Sequence, residues 1–393
     1  MPTTTATVAP GIERLLTAER GLVEGRKVAV LCNPASVDSN LRHSADVLFE
    51  DSGVSLAAIF GPQHGFRADL QDNMIETPHG RDARRKVPVF SLYSEVREPS
   101  AEMLAGLDAL VVDIQDVGTR VYTFIYTVAN CMRAAARHGV PVIVCDRPNP
   151  INGVDVEGNL LDERYASFVG QFPIPMRHGM TVGEIALLFN NVFDIGADLH
   201  VVKMGGWRRE MFYEETGLPF VMPSPNIPTV DTAVVYPGAV LFEGTRLSEG
   251  RGTTRPFELI GAPGIDGEQL AEAMNARRLP GIHFRPAFFE PTFQKHATQP
   301  CGGCQLHVLD RQAFRPVRTS VELIEEFHRQ NPAKFAWREP PYEYEHDKMP
   351  IDILYGSDQL RGAIEAGTTA DLVAGWSKDE EAFRQLRRPY LLY

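Results

Sequence analysis

The sequence predicts an α/β protein in which a doubly wound parallel sheet is followed by a smaller α+β part. Short apolar runs rich in Val, Ile and Leu alternate with helix-like stretches, and the runs lack the strict alternation of strands that face water on one side. Strand, helix, strand in alternation is typical of a parallel sheet covered by helices. The predicted strands are residues 28–31, 56–60, 87–92, 107–112 and 140–145.

The clearest predicted helix spans residues 120–138. Ile125, Val128 and Met132 recur at helical spacing within it, and Gly139 follows as a stop signal. Polar clusters follow several of the predicted strands directly. Because ligands of open parallel sheets bind outside the carboxyl ends of the strands, this edge is the predicted site.

The length of 393 residues exceeds what one hydrophobic core usually spans, so two domains are expected. A proline-rich stretch places the predicted boundary near residue 230, which divides the chain into residues 1–230 and 231–393. In the second domain, helices are predicted at residues 267–278 and 320–330, and strands near residues 281–286 and 305–309.

Composition argues against nucleic acid and membrane as partners. The formal net charge is -12 at pH 7, and no run of Lys or Arg supplies the concentrated basic face that phosphate binding needs. No stretch is long and apolar enough to span a bilayer, and residues 1–20 lack the pattern of a signal peptide. We therefore expect a cytoplasmic location for the chain as given.

The motifs predict no cofactor. The first turn after a strand, residues 33–36, lacks the glycine fingerprint of nicotinamide and flavin enzymes. Cys301 and Cys304 have the spacing of a metal or redox pair, but no second pair accompanies them, and the five cysteines are expected to be buried free thiols. The histidines and the aspartate considered as metal ligands lack a usable ligand spacing: His64, His79, His178 and Asp113.

Charged residues follow the predicted strand at residues 107–112. Asp113 and Asp116 come directly after it, and Arg120 follows. Asp116 or Thr119 could simply cap the next helix. A cation in the first turn of a helix opposes the helix dipole, so Arg120 is expected to have an anionic partner, either one of these aspartates or a ligand carboxylate.

A second polar cluster follows residues 140–145. Asp146, Arg147 and Asn149 lie in a turn that two prolines make rigid, and this rigidity would hold them in the fixed directions that a sugar site requires. A purely structural turn explains the same prolines. We favour the site, because the cluster lies at the predicted sheet edge.

The motifs exclude serine and cysteine nucleophiles, so carboxylates are the remaining candidates for the acid and base groups. No Gly-x-Ser-x-Gly elbow is present, and no cysteine has a histidine in a usable motif. Thr181 and Glu184 have the spacing of a capping box, so Glu184 is interpreted as structural. His178, just before this box, is a candidate for the site.

The chain resembles the exo-β-N-acetylmuramidase (NamZ-type) family of bacterial cell-wall glycosidases. The resemblance runs from about Gly11 to the C-terminus and rests on motifs that occur in order. They are Phe60-Gly-Pro-Gln-His-Gly-Phe66, Asp113-Ile-Gln-Asp-Val-Gly-Thr-Arg120, Asp146-Arg-Pro-Asn-Pro150, Arg177-His-Gly-Met-Thr181 and Ser248-Glu-Gly-Arg-Gly-Thr253.

The resemblance implies a Rossmann-like N-terminal domain, a smaller C-terminal domain, a cleft between them and release of terminal N-acetylmuramic acid. The implied partner is a peptidoglycan-derived amino sugar or muropeptide. Many members have Pro-Glu-His-Gly where this chain has Gln63, which cannot exchange a proton as a carboxyl group does. Glu76 or Asp69 could supply the missing carboxyl group.

We therefore predict a glycoside hydrolase with its site at the carboxyl edge of the sheet and a lid, carrying Glu249 and Arg251, from the second domain. The alternatives are a sugar-binding protein without turnover and a metal-assisted hydrolase. The predicted catalytic carboxylates are Asp113, Asp116 and Glu76. The predicted substrate-binding residues are Asn33, Gln63, His64, Arg67, Arg120, Asp146, Arg147, Asn149, His178, Glu249 and Arg251.

Overall fold

A computed structural model describes residues 8–71 and 75–393. Within them the strands are β1 (Lys27–Cys32), β2 (Ser55–Gly61), β3 (Gly80–Arg81), β4 (Pro88–Ser91), β5 (Ala109–Asp113), β6 (Val142–Cys145), β7 (Glu157–Leu160), β8 (Pro175–Arg177), β9 (Leu199–Val202), β10 (Leu259–Ala262), β11 (Ile282–Phe289) and β12 (Cys301–Val308). The helices are α1 (Gly11–Leu15), α2 (Ser44–Glu50), α3 (Ala101–Leu104), α4 (Phe124–His138), α5 (Val182–Val192), α6 (Val230–Ala239), α7 (Gly267–Ala276), α8 (Pro316–Gln330), α9 (Pro350–Tyr355), α10 (Gln359–Ala366) and α11 (Thr369–Arg387).

The predicted α/β fold class is confirmed by the large sheet, which has the strand order β3-β4-β2-β1-β5-β6-β9. All its pairings are parallel except that of β3 with β4 at one edge. The chain order reverses at β1, which lies between β2 and β5, so the crevice at the carboxyl ends of β1 and β5 is the topological switch point. The sequence pattern missed β9, because this edge strand is partly exposed and does not form an apolar run.

The helix that follows β5 begins later than predicted. Residue 120 was the expected start, but α4 begins at Phe124, because Thr119 pairs with Arg177 in a β-bridge and the Arg120 N–H donates to Met176 O at 2.8 Å. The predicted stop is confirmed, since Gly139 adopts the left-handed conformation with φ of 66°. Residues 114–123 therefore form a loop at the carboxyl end of β5.

The second part of the chain is built on an antiparallel sheet in the order β10-β12-β11, against which α7 packs. β12 contains both Cys301 and Cys304 and begins ahead of the predicted strand. A Cβ atom on Gly303 would lie 2.0 Å from Ile260 O, so glycine is needed for the close approach of β10. All five cysteines are buried and free, as predicted.

One hydrophobic core joins the two parts. It includes Val112 and Phe124 from the first part and Phe242 and Phe327 from the second, while a separate cluster fills the other side of the large sheet. The C-terminal helix α11 returns to pack on β7. Among the described residues, no helix combines the length and the apolar character needed to cross a membrane.

Candidate active site

A narrow cavity lies where the carboxyl end of β2 and the start of α4 meet the second part of the chain. About 50 Å³ of it is accessible to water. The second part contributes α6, the 3₁₀ turn Val240–Gly244 and residues 342–343 to its wall. The wall contains polar and charged side chains from both parts, among them Gln63, His64, Tyr122, Glu243, Arg251 and Glu343.

Two carboxyl groups in this wall, Glu243 and Glu343, are each only 3% exposed. Burial, reinforced by the negative charge of Glu243, raises the pKa of Glu343 to about 7. Hydrogen bonds from Tyr93 and Gln63 oppose this rise, and the Tyr93 hydroxyl donates to Glu343 Oε2 at 2.9 Å. Near neutral pH, Glu343 therefore exists in both protonated and charged forms.

Glu243 has a different environment, because a cation lies against it. Arg251 Nη2 donates to Glu243 Oε1 at 2.7 Å, and the Tyr342 hydroxyl donates to Oε2 at 2.8 Å. Glu249 lies behind Arg251, with 3.8 Å between Glu249 Oε1 and Arg251 Nε, and accepts a hydrogen bond from Lys295 Nζ at 2.8 Å. Of the predicted lid residues, Arg251 thus lies in the cavity wall and Glu249 supports it.

Gln63 and His64 reach the cavity from the turn after β2. Gln63 Oε1 accepts a hydrogen bond from Thr123 Oγ1 at 2.8 Å, and the Gln63 side chain also hydrogen-bonds to Glu343. His64 has a φ of 70°, and its Nδ1 lies 2.7 Å from Leu70 O. Burial lowers the pKa of His64 to about 4, so the imidazole is neutral at pH 7.

The switch-point crevice contains charged groups that bind one another. Arg147 Nε and Nη2 donate to the two oxygens of Asp113 at 2.5 and 2.7 Å, and the Ser44 hydroxyl donates to the same carboxylate. Asn33 Nδ2 donates to Gln115 O at 3.1 Å and so ties the ends of β1 and β5 together. Asp113, Arg147 and Asn33 are buried outside the cavity wall.

The prediction that Arg120 has an anionic partner is wrong. Its guanidinium is fully buried and donates to four backbone carbonyls, those of Asn159, Ile174, Leu354 and Tyr355. The reason is that Arg120 precedes α4 rather than occupying its first turn, so the dipole argument does not apply to it. Arg120 instead joins the loop after β5 to α9.

The turn after β6 is also held internally. Asp146 accepts hydrogen bonds from Thr181 Oγ1 at 2.7 Å and from the Gly183 N–H at 2.8 Å, so it stabilises the start of α5. Asn149 Nδ2 donates to Met180 O at 3.0 Å. The predicted capping box at the start of α5 is confirmed.

Asp116 and His178 lie close together near the Tyr122 side of the cavity. Asp116 Oδ2 accepts a hydrogen bond from the Gly118 N–H at 2.6 Å and lies 3.6 Å from His178 Nε2. Burial raises the pKa of the Tyr122 hydroxyl, and the negative charge of Asp116 adds to this rise. Both side chains are buried and lie outside the cavity wall.

Glu76 and Arg67 are surface residues. The Glu76 side chain is 49% exposed and pairs with Arg97 at 3.1 Å, and the Arg67 side chain is 65% exposed and pairs with Asp82 at 3.3 Å. Of the predicted site residues, the structure brings Gln63, His64 and Arg251 together in the cavity wall. Within residues 8–71 and 75–393, no group of three or more His, Cys, Asp or Glu side chains is placed to hold a metal ion.

Comparison with known proteins matches both parts of the chain to one family. The family model described as Exo-beta-N-acetylmuramidase NamZ, N-terminal, matches residues 28–231, and its C-terminal counterpart matches residues 234–393. The chain belongs to the exo-β-N-acetylmuramidase NamZ family. The class of enzyme predicted from the sequence, an exo-acting glycosidase, is thereby confirmed at the level of the family.

The similarity to individual proteins extends over nearly the whole chain. Peptidoglycan β-N-acetylmuramidase NamZ of Bacillus subtilis (strain 168) is 46% identical over 387 residues, which are 98% of this chain and 91% of that protein. A crystal structure of a DUF1343 family protein from Bacteroides fragilis NCTC 9343 has a TM-score of 0.89 with 35% identity, covering 98% of this chain and 99% of that one. A second such protein from the same organism has a TM-score of 0.77 with 31% identity, covering 99% of each chain.

Sequence analysis did not select Glu243, Tyr342 or Glu343 for the site of this NamZ family member. Glu243 begins the polar stretch that contains Glu249 and Arg251, so its position was a usable signal. Tyr342 and Glu343 follow two prolines in a segment where acidic and aromatic residues alternate, which is a composition suited to a sugar site. No local periodicity, however, indicates that this segment meets the turn after β2.

Proposed function

We propose that the chain hydrolyses the bond that links a terminal N-acetylmuramic acid, or a related amino sugar, to a peptidoglycan fragment. We assign the chemistry to Glu343 and Glu243 rather than to the predicted Asp113, Asp116 and Glu76, which lie outside the cavity wall. The observation that carries this proposal is a buried pair of carboxyl groups whose surroundings differ, one raised in pKa and one paired with arginine.

Glycosidases commonly need one protonated and one charged carboxyl group on either side of the scissile bond. Glu343 suits the acid, because a pKa of about 7 keeps a large protonated fraction at neutral pH while leaving the proton easy to transfer. Water attacks the anomeric carbon as the glycosidic bond breaks, and Glu243, which is held by Arg251, accepts the proton that this water loses. The leaving oxygen of the glycan takes its proton from Glu343.

Gln63 takes a positioning role in this mechanism. Its amide hydrogen-bonds to Glu343 while Thr123 holds its Oε1, so the two contacts orient the acid. A glutamine at this position therefore does not remove the carboxyl group needed for proton transfer, because Glu343 provides one from the second part of the chain. The neutral His64 ring and the Tyr122 hydroxyl are placed to contact sugar hydroxyl or amide groups.

The competing function is sugar binding without turnover, which Gln63 favours because many family members carry glutamate there. The test is incubation of the full chain with a disaccharide that ends in N-acetylmuramic acid and with one that ends in N-acetylglucosamine. We expect release of free sugar from the first and about a hundredfold less from the second, since rejection of a substrate that leaves buried polar groups unpaired reaches this size. Calorimetric binding without sugar release would identify a binding protein, and loss of hydrolysis after dialysis against chelator would identify a metal-assisted hydrolase.

A further inference from the structure

A basic concavity lies beside the catalytic cavity on the second part of the chain. Its volume is about 400 Å³. Four basic side chains line it: Arg246, Lys295, His296 and Arg338. Glu339 is the acidic residue in the same wall. Such a concentration of positive charge contrasts with the formal net charge of -12 of the whole chain.

The two arginines carry the unbalanced charge. Lys295 is already engaged, because its Nζ donates to Glu249 at 2.8 Å and to the Phe242 and Leu247 carbonyls at 2.8 and 3.0 Å. Arg246 is exposed. Neither arginine side chain forms an ion pair with any residue of 8–71 or 75–393. The Arg338 guanidinium lies over the Tyr342 ring, with 5.3 Å between its Cζ and the ring centroid, so Arg246 is the more available of the two to a ligand anion.

The concavity and the catalytic cavity share the same two segments of chain. The Arg246 N–H donates to Ala336 O at 2.9 Å, and the Arg338 N–H donates to Gly244 O at 2.9 Å. The first segment contributes Glu243 to the cavity wall and Arg246 to the concavity. The second contributes Tyr342 to the cavity wall and Arg338 to the concavity. The two pockets are therefore neighbours on the same pair of segments, so a glycan that leaves the cavity on this side would pass over the concavity.

We propose that this concavity is a subsite for the carboxylate of the second muramyl residue of a bound glycan. This inference rests on the proposed function, in which the terminal muramyl residue occupies the catalytic cavity. Peptidoglycan glycans alternate muramyl and glucosaminyl sugars, so the next lactyl carboxylate follows one neutral sugar later. Arginine matches that ligand, because its planar fork binds carboxylates through two parallel charge-assisted hydrogen bonds.

The test compares substrates that differ in whether a second carboxylate is present. They are a chromogenic muramide, the disaccharide MurNAc–GlcNAc and the tetrasaccharide that repeats this disaccharide. Arg246→Glu should lower kcat/KM for the tetrasaccharide by about tenfold and leave the other two unchanged, because it repels the second carboxylate alone. The matched control is Arg388→Glu, which reverses an exposed charge on the 3₁₀ turn after α11 and should change none of the three.

A second arm alters the substrate instead of the protein. Amidation of the second lactyl carboxylate should lower the wild-type kcat/KM by a smaller factor, because it removes an attraction without adding a repulsion, and it should abolish the effect of Arg246→Glu. Equal losses on all three substrates would overturn the proposal by assigning Arg246 to the terminal sugar. A loss seen only when the second muramyl residue carries a stem peptide would overturn the lactyl assignment in favour of a peptide carboxylate.

Failure of the proposed function gives a different result. In that case the wild-type chain hydrolyses none of the three substrates, and the subsite is tested by calorimetry with the intact and amidated tetrasaccharides. Tighter binding of the intact form that Arg246→Glu removes would support the subsite. Equal binding of the two forms would overturn it.

Discussion

The switch-point crevice between β1 and β5 and the cavity at the end of β2 both contain buried charge, but they treat it in opposite ways. In the crevice, Asp113 and Arg147 form a two-bond ion pair whose groups satisfy one another. In the cavity, Glu343 lies near a second carboxylate, and its pKa rises to about 7. The comparison indicates that a place at the sheet edge is not enough to select a candidate catalytic group. A raised pKa alone does not select one either, because burial and the charge of Glu184 raise the pKa of Asp146 to about 7 outside the cavity wall, so exposure to the cavity is also needed.

The second part of the chain creates this difference. It supplies Glu243, Arg251, Tyr342 and Glu343, and therefore most of the charge in the cavity wall. In the crevice, residues of the first part such as Ser44 and Arg147 bind the carboxylate of Asp113, which is fully buried. A parallel sheet thus offers several strand ends, and in the proposed function the part of the chain that packs against one of them supplies the candidate catalytic groups.

The largest expected effect is on the rate of hydrolysis, which should depend on the cavity and not on the crevice. Glu343→Gln keeps the shape of the side chain but removes the proton donor, so kcat should fall about 10²- to 10⁴-fold while the melting temperature changes little. Steady-state hydrolysis of a muramyl disaccharide measures the rate, and differential scanning fluorimetry measures the melting temperature. A variant that retains more than half of the wild-type rate would assign the proton donor elsewhere.

Glu76→Gln is the matched control for this comparison. The same chemical change then falls on an exposed carboxylate whose pair with Arg97 lies at the surface. The rate and the stability should both stay close to those of the wild type, since exposed pairs contribute little. A rate loss in Glu76→Gln as large as that in Glu343→Gln would return the predicted Glu76 to the catalytic pair.

Substitutions in the crevice should change the free energy of unfolding rather than the rate of hydrolysis. Arg147→Met leaves the Asp113 carboxylate buried without its cation, which should cost about 3–5 kcal/mol of unfolding free energy. The double variant Asp113→Leu with Arg147→Met should cost less than this single change, because no unpaired charge remains. Urea denaturation measures both. A fully stable single variant with greatly reduced turnover would place the crevice in the active site.

Much of the fold could be predicted because its information is local. The apolar runs that became β1, β2, β5 and β6 are continuous, and Gly139 ends α4 as its sequence position indicated. The edge strand β9 was missed because it is partly exposed and forms no apolar run. The strands β7 and β8 are buried, but they are only four and three residues long and contain polar residues, so they form no apolar run either.

The site was harder to predict because its contacts are distant in sequence. Gln63 and Arg251 were selected from motifs, but the partner of Gln63 is Glu343, far along the chain in a segment without regular structure. Asp113 and Arg120 carried equally strong signals from position and charge. Asp113 and Arg120 differ from the residues of the cavity wall in that other protein atoms already bind their charged groups. That difference is a property of the folded structure and cannot be read from the sequence.

The smallest expected effect tests the environment of Glu343 directly. Loss of the proton from Glu343 should make kcat/KM of the wild type fall as the pH rises above about 7, by tenfold per pH unit. The Tyr93 hydroxyl stabilises the charged form by donating to Glu343 Oε2, so Tyr93→Phe should raise the pKa of Glu343 and move this decline to higher pH. The shift should be about one pH unit, because a hydrogen bond to a charged carboxylate is stronger than one between neutral groups.

A buried tyrosine outside the cavity wall provides the control for this shift. Tyr213→Phe removes a hydroxyl that donates to Pro219 O at 3.3 Å, and it should leave the pH profile unchanged. His64 does not account for the decline near pH 7, because burial lowers its pKa to about 4. An unshifted profile in Tyr93→Phe would mean that the titrating acid is not Glu343. The cavity would then be no more reactive than the crevice, and the comparison between the two regions would lose its chemical basis.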